Sequence, residues 1–342
     1  MAKKILSIFF FLLSLNAFAE KHEEITPPAG PFVKDGVNVY LTGEFLWWKG
    51  IQEGLNYATS GVLVQPGTTL SNSGKVHKVH YPWKPGFRVG VGLYPGHDGW
   101  DLYARYTGYH THSSDHASNH DGNMIPLGSY FGNLTSIEVN GVTSARSKWS
   151  LHYNVVDLEL GRNFFLSKYL KTRLFSGLRA TFNSQDWETH YYSNQITLGN
   201  DSPLPGSIRT KQDQDTWGIG IRMGANLTWS FYKALSLVSD VSFAGVWIDY
   251  DNHRHDSISQ TNGESRVTMK VKSDPNSTVF NIDLMLGFRG DWWLNNEAYH
   301  LSFQAGWENQ LWLDYGNFIF FNRNGNGDLS FSGLTAKLRF DF

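Results

Sequence analysis

The sequence has no cysteine among its 342 residues. Without disulfides, stability has to come from a large core or from a closed hydrogen-bond network. An excess of basic residues is also missing, because 29 lysines and arginines stand against 31 aspartates and glutamates. This balance argues against nucleic acid as a partner.

Apolar runs long enough for a transmembrane helix are absent as well. Near the start, two lysines precede an apolar stretch over residues 5–15 and then Ala17-Phe18-Ala19. A bilayer-spanning helix takes about 20 apolar residues, so this pattern is typical of a secretory signal over residues 1–19. We expect cleavage between Ala19 and Glu20, followed by a periplasmic segment over residues 20–36.

Aromatic residues and glycine are abundant, with 13 Trp, 16 Tyr, 23 Phe and 34 Gly. Ten segments alternate apolar and polar side chains with a period of two, which indicates strands with one apolar face. The negative mean hydropathy fits strands that alternate lipid-facing with lumen-facing residues. These segments cover residues 37–48, 87–93, 100–109, 149–164, 173–182, 216–229, 237–250, 279–290, 299–313 and 333–342.

The connections between these segments alternate long and short, as in outer-membrane barrels with short periplasmic turns and long extracellular loops. Unpaired backbone groups are costly in lipid, so the last strand should close the sheet by pairing with the first. The sequence therefore predicts an all-β protein, a closed antiparallel transmembrane β-barrel of about 10 strands over residues 37–342. The alternative is 12–16 strands, if the long loops hide further hairpins.

Tryptophans near the segment ends predict two interfacial belts. The belt at the long-loop end would contain Trp47, Trp48, Trp83, Trp149, Trp217, Trp247 and Trp312, and the other belt Trp100, Trp229, Trp292 and Trp293.

The fourth segment changes the phase of its apolar face, which predicts a β-bulge near Val155.

The final stretch, GLTAKLRFDF, alternates to its last residue. Leu338, Phe340 and Phe342 share the apolar face, and a terminal aromatic after such residues looks like the signal that barrel assembly machinery recognises. We therefore expect that machinery and outer-membrane lipid as partners.

Charged residues on the polar face have to point into the lumen, because a charge that faces lipid at mid-depth costs about 2–4 kcal/mol. They would line a pore for ions and small solutes and set its selectivity. The alternative is a salt-bridged plug, since narrow barrels are filled by their own side chains. The candidates are Arg88, Arg105, Asp157, Glu159, Arg173, Arg179, Arg222, Asp240, Asp283, Arg289 and Glu308.

A histidine-rich stretch, HTHSSDHASNHD, contains metal-ligand types at His110, His112, His116 and His120. In a loop these ligands would lack rigid geometry, so we expect no metal and no cofactor.

Two other functions remain open. Asp249, Asp251, His253 and His255 lie where an outer-membrane protease would place its catalytic pair, but no second carboxylate pair has matching spacing, so we do not expect an enzyme. Long polar loops would also suit an adhesin or a structural coat that contacts a host-cell surface. A homo-oligomer is a further alternative, although no subunit interface is marked.

Three stretches resemble the major outer membrane porin family of Legionella and of environmental relatives of Chlamydia. They are VYLTGEFLWWKGIQEGLNYA, WKPGFRVGVGL with WDLYARYT, and NVVDLELGRNFFLSKYLKTRLFSGLRATF. The resemblance implies a surface-abundant barrel that conducts ions and small solutes. Relatives in this group are often cross-linked through cysteines, so the absence of cysteine here puts a disulfide-linked envelope network in doubt.

Overall fold

The computed structural model describes residues 29–31, 33–34, 38–61, 74–96, 98–119, 124–129, 137–199, 202–232, 234–320 and 326–342. The cleavage site expected between Ala19 and Glu20 lies outside these residues. No helix in the described ranges is long and apolar enough to cross a membrane. The strands are β1 (Val39–Gln52), β2 (Asn56–Ser60), β3 (Lys75–Lys78), β4 (Trp83–Leu93), β5 (Trp100–Ser118), β6 (Met124–Pro126), β7 (Ile137–Phe165), β8 (Leu170–Leu198), β9 (Leu204–Tyr232), β10 (Leu235–Gln260), β11 (Ser265–Ser273), β12 (Asn276–Leu294), β13 (Tyr299–Asn317) and β14 (Asn326–Asp341).

The main sheet closes on itself. Its order is β11-β10-β12-β13-β14-β1-β4-β5-β7-β8-β9, and β9 also pairs with β10. β11 pairs only with residues 252–259 of β10, beyond the part of β10 that pairs with β12. Ten of the eleven strands therefore form the ring. The predicted closed barrel of about ten strands is confirmed. The predicted pairing of last and first strands is also present, with Phe340 opposite Leu41 and Leu338 opposite Gly43.

Within one zone of the barrel, which we call the apolar zone, alternate residues of each ring strand point outward and are apolar. The residues between them point inward and are polar. On β9, Trp217, Ile219, Ile221 and Met223 are exposed, whereas the intervening Arg222 is buried. Exposed tryptophans mark both margins of this zone. Trp217 packs edge-on against Trp247 and Trp83 against Trp307 at the long-loop end, and the other margin carries Trp100, Trp229, Trp292 and Trp293.

The strands are far longer than the apolar zone. β7, β8 and β9 each contain 29 residues, whereas a membrane crossing takes about 9–11 residues. Beyond the tryptophan belt, the outward positions become polar, as at Arg209 and Lys211, and the inward positions become aromatic, as at Trp187 and Tyr191. Much of the chain expected in long loops is therefore a strand extension that stands outside the membrane.

Two expectations fail for one reason, which is this inversion of the apolar face. Trp149, Tyr153 and Val155 all point inward, and the registers with β5 and β8 run through Val155 without a shift, so the bulge predicted there is wrong. Trp48 and Trp312, assigned to a belt together with Trp149, are also buried inside the barrel. The apolar face turns from lipid to the interior where the strands leave the membrane.

A small sheet of β2, β3 and β6 lies at the long-loop end of the barrel, where β2 is buried or half-buried and β3 is largely exposed. Tyr57 and Ala58 of β2 are fully buried in the interior aromatic cluster. The Tyr191 hydroxyl of β8 donates a hydrogen bond to the Tyr57 carbonyl at 2.6 Å and accepts one from the Gly128 amide at 3.0 Å. These contacts hold Tyr57 and Gly128 against the inner side of β8.

The inward and outward assignment is tested by two adjacent residues of β12. Leu284 is exposed at the middle of the apolar zone, whereas Asp283 is buried and accepts hydrogen bonds from Arg179 and Ser242. A charge at mid-depth on the lipid face costs about 2–4 kcal/mol. We expect Leu284→Arg to block assembly, measured as loss of the heat-modifiable folded band, and Asp283→Asn to assemble. Equal tolerance of both substitutions would contradict the assignment.

Candidate functional site in the barrel lumen

All the charged residues predicted to face the lumen point into the barrel, and most of them form one ion-pair network. Its centre is Asp157 on β7, where Arg179 Nε lies 2.7 Å from Oδ1 and Arg105 Nη2 lies 2.9 Å from Oδ2. Arg179 also reaches Asp283 across two intervening strands at 3.0 Å. Paired charges at these distances satisfy one another, so the centre of the lumen is filled rather than open.

Glu159 extends this network toward the short-turn end. It pairs with Arg222 and, at 2.8 Å, with Arg173, whose other nitrogen lies 2.6 Å from Asp101. Gly161 leaves the space that Arg173 needs, because a Cβ on this glycine would lie about 2.5 Å from Arg173 Nε. The inward carboxylate of Asp101, next to a turn and outside the clear alternation, was missed from the sequence.

A second group joins the first and last strands of the ring. Arg88 on β4 lies 2.6 Å from Glu44 and 2.9 Å from Glu308. The Thr335 hydroxyl donates to Glu308 at 2.7 Å, and Lys337 Nζ lies 3.5 Å from Glu44. Arg88 therefore ties β4 to β13 across β1 and β14.

A third group lies at the short-turn end. Arg289 pairs with Asp291 at 2.6 Å, and His300 lies between Asp291 and Asp341 at 3.0 and 2.8 Å. Only Arg289 of these was predicted. The others sit beside turns or on the terminal strand, where the alternation alone does not distinguish lumen residues from edge residues.

A cavity of about 120 Å³ remains between these groups. It is large enough to hold water, because one water needs at least about 10–15 Å³ of such space. Asp240 borders it and accepts hydrogen bonds from Asn226 at 2.8 Å and Gln304 at 3.3 Å. Side chains of both signs line it, including Arg105, Glu159, Arg173, Arg222, Asp283 and Glu308, and Tyr40, Tyr94, Tyr103 and Arg339 line it toward the short-turn end.

An aromatic cluster closes the lumen above the network. Tyr153 on β7 donates a hydrogen bond to Gln310 on β13 at 3.2 Å, although these strands lie five positions apart in a ring of ten. The Tyr153 ring also packs 4.6 Å from Phe331 and edge-on at 6.1 Å from Trp312. A hydrogen bond between diametrically opposed strands therefore crosses the lumen at this level.

Residues 315–320, which we call the inward segment, also lie inside the barrel. The amides of Asn317 and Ile319 donate to the side-chain oxygens of Gln214 and Gln212 at 2.8 and 2.9 Å. Asn252 Nδ2 in turn donates to the Asn317 carbonyl at 2.9 Å, and Arg254 Nη1 donates to the Ile319 carbonyl. Side chains of β9 and β10 thus form hydrogen bonds with the backbone of alternate residues of the inward segment, as the backbone of a neighbouring strand would.

Several buried polar atoms along this wall have no partner in the described part of the chain, including Gln212 Nε2, Gln214 Nε2 and Asn252 Oδ1. Buried amide groups without a partner cost about 1–3 kcal/mol each unless water serves them. The wall behind the inward segment therefore has the chemistry of a hydrated surface.

The other candidate residues lie on the outward face. His110, His112 and His116 are on β5 rather than in a loop, His120 lies outside the described residues, and no group of three or more metal-ligand residues forms among those described. On β10, His253 Nε2 lies 3.0 Å from Asp251, and Asp249 accepts a hydrogen bond from Trp217 at 2.9 Å. Both residues of this Asp–His pair are about half exposed outside the barrel.

A closed ring of antiparallel strands, a lipid-facing apolar belt and a charged lumen define an outer-membrane β-barrel protein. The family model of the Legionella pneumophila major outer membrane protein precursor matches residues 37–342, and the chain belongs to this family. The resemblance drawn from three short stretches is thereby confirmed across the whole barrel. No curated protein matches the chain significantly.

Solved structures similar to the chain include outer-membrane proteins. The outer membrane protease OmpT from Escherichia coli has 13% identity and a TM-score of 0.41, covering 90% of this chain and 98% of that one. A major outer membrane protein from Thermus thermophilus has 12% identity and a TM-score of 0.26, covering 73% and 97%. The Pseudomonas putida toluene transporter TodX has 8% identity and a TM-score of 0.30, covering 93% and 92%. Scores this low carry no functional argument.

Proposed function

We propose that the protein is an outer-membrane diffusion channel for ions and small hydrophilic solutes, closed in the conformation described. The observation that carries this proposal is the polar cavity at the level of the lipid belt, lined by charges of both signs. A barrel that served only as an anchor would need no water-sized space among its lumen charges. Solute passage would be passive, with selectivity set by those charges.

The charged residues of the lumen form two groups at different positions in the proposed channel. Glu44, Glu308 and Arg88 form one wall at the seam between the first and last strands. Arg105, Arg173 and Arg222 face them across the cavity with Glu159 and Asp283. Conduction requires some of these pairs to exchange partners with water and passing ions, as selectivity filters of charged rings do.

Opening would have to start at the inward segment, because it lies between the aromatic cluster and the wall of β9 and β10. Phe318 and Phe320 pack 5.8 and 5.5 Å from the Trp187 ring. If the segment moved outward, the amide groups of Gln212 and Gln214 would line the freed space. Hydrated amides are a suitable surface for ions and sugars, which supports a channel rather than a lipid or hydrocarbon route.

The second candidate is a surface barrel with a permanently closed lumen, such as a structural coat or an adhesin. The hydrogen bond from Tyr153 to Gln310 between opposed strands favours it. In that case the polar strand extension would be the functional part, presenting a rigid surface to a host cell or to neighbouring copies. Lipid, the barrel assembly machinery and, in an oligomer, further copies of the chain are the partners proposed for either candidate.

Single-channel recording of the refolded protein in a planar bilayer separates the two candidates. We expect infrequent, stable steps whose amplitude scales with salt concentration, because the proposed channel rests closed and its lumen is polar. Ion selectivity should shift in Asp240→Asn, which borders the cavity without belonging to an ion pair. A folded, heat-modifiable barrel that gives no steps at any voltage would favour the closed surface barrel.

A further inference from the structure

We propose that the outward face of β5 and β7 just above the lipid belt binds the phosphate groups of outer-leaflet glycolipid. The two strands pair in continuous register through this region, with Gly108 opposite Asn154 and His110 opposite His152. Below these positions the outward residues are apolar, as at Val156 and Leu158. Above them the outward residues are basic or hydroxylic, namely His110, His112, Ser114, His116, Arg146, Lys148, Ser150 and His152, which we call the basic face.

The position of the basic face is the first argument. It begins where the apolar outward side chains of the same two strands end, at the depth where lipid headgroups meet the barrel. Ser114 is opposite Lys148 and His116 opposite Arg146, so the polar groups form adjacent rungs. Directly opposed residues have Cβ atoms about 5 Å apart, a spacing that lets two side chains bind one phosphate.

The charge of the basic face is the second argument. Among described residues, no carboxylate points outward on β5 between 110 and 118 or on β7 between 144 and 152; Asp115 points inward and accepts a hydrogen bond from Tyr57. On the neighbouring β8, Glu188 pairs with His190 and Arg209 at 2.9 and 2.7 Å. The outward lysines of β11 differ, because Lys272 lies 3.2 Å from Asp251. β5 and β7 therefore add no outward carboxylate to the basic face at these positions, although Glu188 of β8 lies directly opposite Lys148 and is shared with His190 and Arg209.

The histidine pair at its base is the third argument. The rings of His110 and His152 lie 4.0 Å apart. Burial lowers the pKa of His110, and the nearby His152 ring lowers it further. His112 and Lys84 of β4 shift this pKa in the same direction. The flanking β8 brings Asp186 near, but this carboxylate accepts a hydrogen bond from Ser150 at 3.1 Å. A bound phosphate would relieve the repulsion between two imidazolium rings, so binding should strengthen as the pH falls.

Binding of lipid A to the refolded full barrel in detergent tests the proposal. The variant is His110→Gln/Lys148→Gln/His152→Gln, and the control is Lys272→Gln on the outward face of β11. At pH 8 we expect about a fivefold weaker affinity in the first variant from its one lost lysine charge. At pH 5.5 the loss should be larger than at pH 8, because a bound phosphate favours the protonated form of His110. The control should change less than about twofold, because Lys272 already pairs with Asp251 and Asp274.

The pH response distinguishes phosphate binding from a change in folding. The wild-type affinity for lipid A should rise as pH falls from 8 to 5.5, and the triple variant should have a much flatter response. Both proteins should keep the same heat-modifiable band. Equal binding of lipid A after removal of its phosphates would overturn the proposal. Retention of heparin without binding of lipid A would also overturn it, since the face would then select a polyanionic polymer.

Discussion

Arg179→Met is expected to lower the free energy of unfolding by about 3–5 kcal/mol, the cost of leaving buried carboxylates without their partner. Arg179 is almost fully buried and donates three hydrogen bonds to Asp157 and Asp283 at 2.7–3.0 Å, and another to Asn281. Methionine keeps much of the volume but none of the charge. Arg105 and Arg222 would then be the remaining cations near Asp157 and Asp283 among the described residues, with Ser242 still donating to Asp283.

Urea unfolding of the refolded barrel in detergent measures this loss. The matched control is Arg162→Met, since Arg162 pairs with Asp98 at 2.7 Å but both side chains are more than a third exposed. An exposed pair contributes about 0–1 kcal/mol, so the control should unfold close to the wild type. The double variant Arg179→Met/Asp283→Asn should recover part of the loss. A change under about 1 kcal/mol in Arg179→Met would mean that water reaches this part of the lumen.

The features that a lipid environment requires of the strands could be predicted from the sequence. Within the apolar zone each strand has to show lipid a continuous apolar face, so alternation on β9 and β12 identified strands and their inward charges, Arg222 and Asp283 among them. The requirement that a membrane sheet have no edge predicted the pairing of β1 with β14. These are local or topological constraints, which is why a single sequence reveals them.

Outside the lipid the same reasoning failed, because the solvent on the outer face changes from hydrocarbon to water. Trp149 continues the alternation of β7, yet it packs inside the barrel, and an interpretation based on lipid assigns it to a belt. The outward His110 and His112 resemble loop residues for the same reason. Contacts across the lumen, such as Tyr153 with Gln310, depend on the ring order of strands and have no local signature.

Gln212→Ala/Gln214→Ala is expected to make channel openings about thirtyfold more frequent. The substitution removes the acceptors for the amides of Asn317 and Ile319, which hold the inward segment against the wall. Two hydrogen bonds at about 1 kcal/mol each give about 2 kcal/mol, and 1.4 kcal/mol corresponds to a factor of ten. The step amplitude should stay near that of the wild type, because the lumen charges are untouched. Gln195→Ala, on the exposed part of β8, is the control and should leave the opening frequency unchanged.

The absence of cysteine makes a second measurement of the same motion straightforward. In Phe318→Cys the new thiol is the only one in the chain, and the side chain that it replaces is almost fully buried. A polar thiol reagent should label it slowly in the wild-type background and about thirtyfold faster with Gln212→Ala/Gln214→Ala, because labelling follows the population of the displaced segment. Faster labelling without more openings would show that the segment moves but that the aromatic cluster still closes the lumen. Unchanged labelling and unchanged openings would show that the inward segment is a fixed part of the barrel core, which is the behaviour of the closed surface barrel.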